Sequence, residues 1–295
     1  MEILSIISTK GGVGKTTLAA NLAAILADMG LRICMIDTDF QANLSHYYPI
    51  LQTAPKGLGE LIFNNKIEDH EALISKTVFT NLDIIMANVK HDEEKIEMQN
   101  KLDNRGDRLF CFKIALDHDY FHENYDYIII IDTQGAVGVF QDAAIFAATR
   151  ILLPIPPDTL SSGTILNDTL STIRRVEEES ECFGKLGTVQ ALIYRQDRTR
   201  NAKEISNQIK EFFHENKSNI TLLKTVIPAA KAYSESTTAK HPVHCFDIAN
   251  RNKAESAYFV MHNLAHELLS GTRLDDVFAD CFGGKVIELM SMVEK

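Results

Sequence analysis

Residues 2–30 read EILSIISTKGGVGKTTLAANLAAILADMG. A short apolar run is followed by a turn holding three glycines between two lysines, and an alanine-rich stretch then runs on until Gly30. A strand, a glycine-rich turn and a helix opening near Lys15 form the context in which a chain wraps an anion. Glycines let the backbone approach closely, and loop N–H groups and the positive end of the helix dipole face the negative charge. Gly11, Gly12, Val13, Gly14, Lys15, Thr16 and Thr17 therefore read as one phosphate cradle. Lys15 adds a point charge on the outer phosphates and the Thr16 hydroxyl can ligate magnesium. The strict pattern G-x-x-x-x-G-K-[ST] fails, because Thr9 stands where its first glycine belongs. Lys10 has no task within this cradle.

Outward from this stretch, Ile- and Val-rich runs recur at 33–36, 82–86, 127–131, 151–154, 189–194 and 222–227. Runs apolar on both faces suit a parallel sheet covered by helices. Helical periodicity lies between them at 16–29, 139–148, 160–181, 201–215 and 253–269. Strand alternating with helix predicts an α/β fold: a doubly wound, mostly parallel sheet with helices on both faces. Residues 1–270 are expected to form one domain, followed by a helical appendage at 271–295. The span 57–124 reads as more polar and helical. It contains KHDEEKIEMQNKLDNRGDR (90–108), either a solvated helix face or a partner surface.

Thirty basic against forty acidic residues give a net charge of −10, which excludes nucleic-acid binding by overall electrostatics; any such binding must use a local patch. Cys34, Cys111, Cys182, Cys245 and Cys281 are scattered, with neither a disulfide framework nor metal spacing, and are expected to be buried thiols. Neither a signal peptide nor a membrane span is evident, so a cytoplasmic location is expected.

Two further stretches carry chemistry. In MIDTDFQANLS, Asp37 and Asp39 leave a buried strand at its carboxyl end, where open α/β sheets bind ligands; a turn or helix cap would use the same residues. In YDYIIIIDTQGA, four isoleucines precede Asp132, a carboxylate placed to hold magnesium through water. A third, YRQDRTRNAK, concentrates Arg195, Arg198, Arg200 and Lys203, either as solvated surface or as a basic patch.

KGGVGKTT resembles the deviant Walker A loop of the ParA/MinD family of P-loop ATPases, whose members often lack the first glycine. The resemblance implies that ATP and Mg2+ bind here and that Lys10 reaches across a homodimer to the other subunit's nucleotide. It further implies that Lys10, Lys15 and Asp39 serve catalysis, Asp39 orienting the attacking water, with Thr16, Asp37 and Asp132 at the metal. Phe40 and Gln134 depart from the prolines usual in the two switch segments. TVIPAAKAYSESTTAKHPVHCFD resembles the late strands and loops of ParA-type proteins, which implies adenine contacts from Ile227 and Pro228. The basic cluster, with Lys231, stands in the place of the family's DNA-binding face, although Ala232 occupies the position of a family arginine.

The whole resembles a ParA-type partition ATPase lacking an N-terminal DNA-reading domain. Such a protein dimerises on ATP, binds DNA nonspecifically, associates with the nucleoid and is stimulated by a ParB-like centromere-binding adaptor. The alternative is a MinD-like, membrane-recruited positioning ATPase; GKVIELMSMVEK, with two lysines against two glutamates, favours a packed terminal helix over a basic membrane anchor.

Overall fold

The computed structural model describes residues 1–64, 67–89, 92–131, 138–158, 162–215, 220–246 and 256–270. Its strands are β1 (Glu2–Ile6), β2 (Ile33–Asp37), β3 (Ile50–Gln52), β4 (Ser75–Thr77), β5 (Leu82–Ile85), β6 (Tyr127–Ile131), β7 (Arg150–Ile155), β8 (Thr188–Gln196) and β9 (Ile220–Pro228). Its helices are α1 (Lys15–Asp28), α2 (Leu58–Phe63), α3 (Asp92–Asp103), α4 (Cys111–Leu116), α5 (Asp119–Asn124), α6 (Val139–Ala147), α7 (Ser162–Ser180), α8 (Arg200–Glu215), α9 (Lys231–Ala239), α10 (Val243–Phe246) and α11 (Ala257–Leu269).

The strands form one sheet in the order β3-β4-β5-β2-β6-β1-β7-β8-β9. From β5 to β9 every pairing is parallel, whereas β3 and β4 extend the edge antiparallel. The doubly wound sheet is therefore as expected, and all seven predicted strands are present. The reading of 57–124 as polar and helical needs correction: β4 lies inside that span, and with β3 it completes the sheet. Each is three residues long, too short to display a period, and each is held by pairing with its neighbour rather than by its own pattern.

Alternation along the central strands sends side chains to both faces. Leu4 and Ile129 join Leu22, Ile25, Leu264 and Leu268 of α1 and α11 on one side. Ile3, Ile128 and Ile130 join Phe112 and Phe140 of α4 and α6 on the other, and α7 and α8 extend that layer with Leu166, Leu170 and Ile205. Small side chains let α1 sit close between sheet and α11, and its residues Leu18 to Ala27 are all buried. The one polar side chain in that stretch, Asn21, is fully satisfied: its amide nitrogen donates to the Thr17 carbonyl and the Tyr47 hydroxyl, and its oxygen accepts from Val243 N.

The charged stretch predicted as a solvated helix face is α3, whose residues are mostly exposed. Of the cysteines, Cys34 and Cys111 are buried as expected, but Cys182 is exposed and Cys245 half-exposed; Cys281 lies outside the described residues. The appendage 271–295 also lies outside them, as do 160–161 and 253–255 from the predicted helix starts. Among the described residues, no helix is long and apolar enough to cross a membrane.

Candidate nucleotide site

β1 is central in the sheet, and its carboxyl end feeds the turn that opens α1. Gly12 and Gly14 take φ of +75° and +95°, a left-handed backbone that favours glycine. Gly14 is the residue that caps α1, so the loop N–H groups and the helix amino end converge. Position 14 admits no other residue for a second reason: a Cβ there would lie 2.5 Å from Cε1 of the buried Tyr194 ring. The loop's first limb is tied to α7, since Thr9 N donates to Thr169 Oγ1 at 3.3 Å. Lys15 is buried, and its Nζ donates to the Ser8 carbonyl at 3.2 Å, which lays the side chain back along the loop. Lys10 is exposed at the outer end of the loop, and Val13 is buried beneath it.

Asp37 ends β2 in register with Ile131 of β6, and Ile131 is in register with Ile6 of β1. This places the exits of three adjacent strands side by side. Asp37 is fully buried, and its carboxylate accepts three hydrogen bonds: Oδ1 from Asp39 N, and Oδ2 from Ser45 N and Ser45 Oγ. Burial nevertheless pushes its pKa up to about 6, against the lowering effect of those bonds. Oδ1 retains accepting capacity, and a buried anionic oxygen suits a hard divalent cation.

Asp39 is held as rigidly: Oδ1 accepts from Gln41 N and Oδ2 from Asn43 Nδ2. Phe40, where the family pattern has proline, is buried edge-on against Phe140 of α6 with ring centroids 5.3 Å apart. Packing thus anchors this switch segment where a proline ring would have stiffened it. Asp132, Gln134 and Gly135 lie outside the described residues.

A cavity of about 470 Å3 opens beside the loop, lined by Gly14, Thr17, Tyr194, Ile227, Pro228 and Tyr233 among others. The structure therefore brings Ile227 and Pro228 together with the phosphate loop, although they are more than 200 residues away in sequence. Sequence reading missed Tyr194, Tyr233 and Thr237 as lining residues. Tyr233 and Thr237 belong to α9, a helix inside a segment expected to be loop; their i, i+4 spacing was the available signal. Thr237 Oγ1 lies 2.8 Å from the Tyr47 hydroxyl, which joins this helix to α1 through Asn21.

The basic residues separate. Arg198, Arg200 and Lys203 are exposed together where β8 passes into α8, and Lys231 is exposed at the start of α9. Arg195, grouped with them by sequence, turns instead onto the phosphate loop and donates to the Gly12 carbonyl at 3.3 Å.

Comparison with known proteins gives the family and the fold. A family model described as "AAA domain" matches residues 1–183. Proteins named putative replication protein A from Rhizobium rhizogenes and Sinorhizobium fredii are 30% and 32% identical over 76% and 56% of this chain, which spans only 58% and 43% of their lengths. The sporulation initiation inhibitor protein Soj of Bacillus subtilis is 29% identical over 85% of this chain and 93% of its own.

Among solved structures, apo McdA of Cyanothece superposes with a TM-score of 0.71 at 22% identity, covering 90% of this chain and 99% of that one. The septum site-determining protein MinD of Pyrococcus horikoshii, complexed with Mg-ADP, gives 0.67 at 22% identity, over 94% and 98%. A putative plasmid partition protein of Borrelia burgdorferi bound to AMPPNP gives 0.66 at 21% identity, over 91% and 98%. At these identities the structural likeness shows the fold, and the sequence match shows the family. The glycine loop at the head of α1, the carboxylates at the neighbouring strand exit and the match over 1–183 together place this chain in the AAA domain family, among its ParA/MinD-type P-loop ATPases.

Proposed function

We propose that this chain is a ParA-type partition ATPase that binds ATP with Mg2+, pairs with a second copy in that state, and engages DNA nonspecifically as the pair. The observation that carries the reading is the loop itself: two lysines bracket the glycines, one buried along the cradle and one exposed at its outer end. A small-molecule kinase would need Lys15 but would have no use for Lys10. In the pair, Lys10 offsets charge on the phosphates held by the other subunit, as an arginine finger does.

The cavity floor formed by Tyr194, Ile227 and Pro228 takes the base, while loop N–H groups and Lys15 take the phosphates. Thr16 and Asp37, with Asp132 after β6, would hold the magnesium, which supplies charge neutralisation across the outer phosphates. Asp39 accepts a hydrogen bond from the attacking water and aligns it; its hydrogen bonds to Gln41 N and Asn43 keep the carboxylate from swinging away. The name of the Borrelia burgdorferi structure, plasmid partition protein, supports a segregation role; in that role a ParB-like adaptor would stimulate hydrolysis. Arg198, Arg200, Lys203 and Lys231 are the DNA-contacting candidates in a chain whose net charge of −10 otherwise repels DNA.

Two measurements test this. Sedimentation should show dimer with ATP but not ADP for the native chain, and monomer under both for Lys10→Ala. Random-sequence DNA should pellet the protein with ATP only; equal pelleting with ATP, ADP and no nucleotide would overturn the reading.

A further inference from the structure

The pairing of β8 with β9 is interrupted beside the cavity. Tyr194 pairs with Ile227 and Gln196 with Pro228, so Arg195 is an extra residue on β8 with no opposite number. It takes φ of +62°, left-handed backbone that a residue with a Cβ adopts at a cost. Both flanks are fixed: the Tyr194 ring lies buried under Gly14, and the Gln196 carbonyl accepts from Ala229 N. Bulges of this kind re-aim a side chain next to a functional site. Here the re-aimed side chain is a guanidinium, and it lands on the carbonyl of Gly12, two residues from Lys10. Glycine would accept this backbone without strain, so the strain is retained together with a cation that spans to the loop.

We propose that Arg195 is a positioning residue for Lys10: its guanidinium grips the Gly12 carbonyl and holds the outer limb of the phosphate loop in the orientation that presents Lys10 to a second subunit. The proposal rests on the reading of Lys10 as a residue acting between subunits. It gives Arg195 a task apart from the exposed basic residues that follow it. Arg195 also borders the cavity, but it grips the loop at Gly12 while Lys15 is held separately at Ser8, so capture of nucleotide by one subunit is not expected to depend on it. Pairing of two subunits does.

The test compares the native full-length chain with Arg195→Gln, Arg195→Gly and Arg195→Lys, measuring fluorescent-ATP affinity, ATP-dependent dimerisation and melting temperature. Loss of one charge-assisted hydrogen bond should weaken dimerisation by at least about tenfold in the Gln and Gly variants, with ATP affinity of the monomer kept within about threefold. Arg195→Lys, which keeps the charge but not the fork, should recover part of it. Arg195→Gly should melt no lower than the native chain, because the left-handed strain is relieved. Adding Arg195→Gln to Lys10→Ala should bring no further loss, as expected of a residue that acts through Lys10.

Native-like dimerisation of the Gln and Gly variants would overturn the proposal. So would parallel loss of ATP affinity, which would mean contact with the nucleotide, or a lowered melting temperature for the glycine variant, which would mean a purely structural role. Failure of the native chain itself to dimerise with ATP while still binding it would count against the between-subunit role of Lys10 and not against the Arg195–Gly12 contact.

Discussion

Gly14 and Asp37 show how single residues carry this site. Gly14 is required twice over, by its φ of +95° and by the Tyr194 ring that fills the space a side chain would need. Gly14→Ala should therefore both lower the melting temperature and abolish ATP binding in a fluorescent-nucleotide titration; retained binding would mean that the loop can shift off Tyr194. Asp37 makes a pH prediction with an unusual sign. Its folded pKa of about 6 lies above the ordinary value of 3.8, because burial favours the neutral acid. Its contribution to stability in metal-free protein is thus fully present below pH 3.8 and is lost as pH rises through about 6. With Asp37 a magnesium ligand, as proposed, metal and proton would compete for this carboxylate. The extra thermal stability that Mg2+ confers on the ADP-loaded chain should be largest at pH 7.5 and shrink below pH 6. An increment that does not change with pH would remove Asp37 from the metal's ligands.

At the level of elements, the segment between β2 and β3 is held at its start by the packing of Phe40 and farther on by Tyr47 and Tyr48. Phe40 packs on Phe140, which ties the chain bearing Asp39 to α6. Phe40→Ala should cost about 3 to 5 kcal/mol of stability, as large-to-small changes at buried aromatic positions do. ATP hydrolysis should fall further than ATP affinity, since Asp39 loses its brace while the cradle is untouched. Phe40→Leu, which keeps most of the volume, should restore the greater part of both. Equal loss of binding and hydrolysis in the alanine variant would show that Phe40 supports the whole site and not the switch alone. α9 gives the complementary case, an element recruited to the site by contacts from elsewhere: Tyr233 lines the cavity, and Thr237 reaches Tyr47.

For the whole molecule, the proposed DNA binding has to be reconciled with a net charge of −10. The exposed Arg198, Arg200 and Lys203 follow the carboxyl end of β8, as the glycine loop follows that of β1, so the proposed pairing would gather two such patches on one surface. Replacing all three by alanine should leave ATP-dependent dimerisation intact while weakening DNA binding. The slope of log affinity against log salt should drop by about 2 to 3 per subunit, one increment for each lost phosphate contact. An unchanged slope would place the DNA surface elsewhere on the pair.

The strand–glycine turn–helix at residues 2–30 and the seven apolar runs of the parallel sheet were determined by the sequence itself, because they rest on short-range sterics and on periods of two and 3.6. Other features needed the tertiary structure. β3 and β4 are too short to carry a pattern and exist through pairing. α9, KAYSESTTA, is rich in Ser and Thr, which favour turns when isolated, and became helical against α1 and the cavity. Composition grouped Arg195 with its basic neighbours, whereas a single unpaired position between β8 and β9 turned it onto Gly12. Local sterics is written in consecutive residues, but a strand's partner and a bulge's direction depend on chain segments far apart in sequence, so only folding decides them.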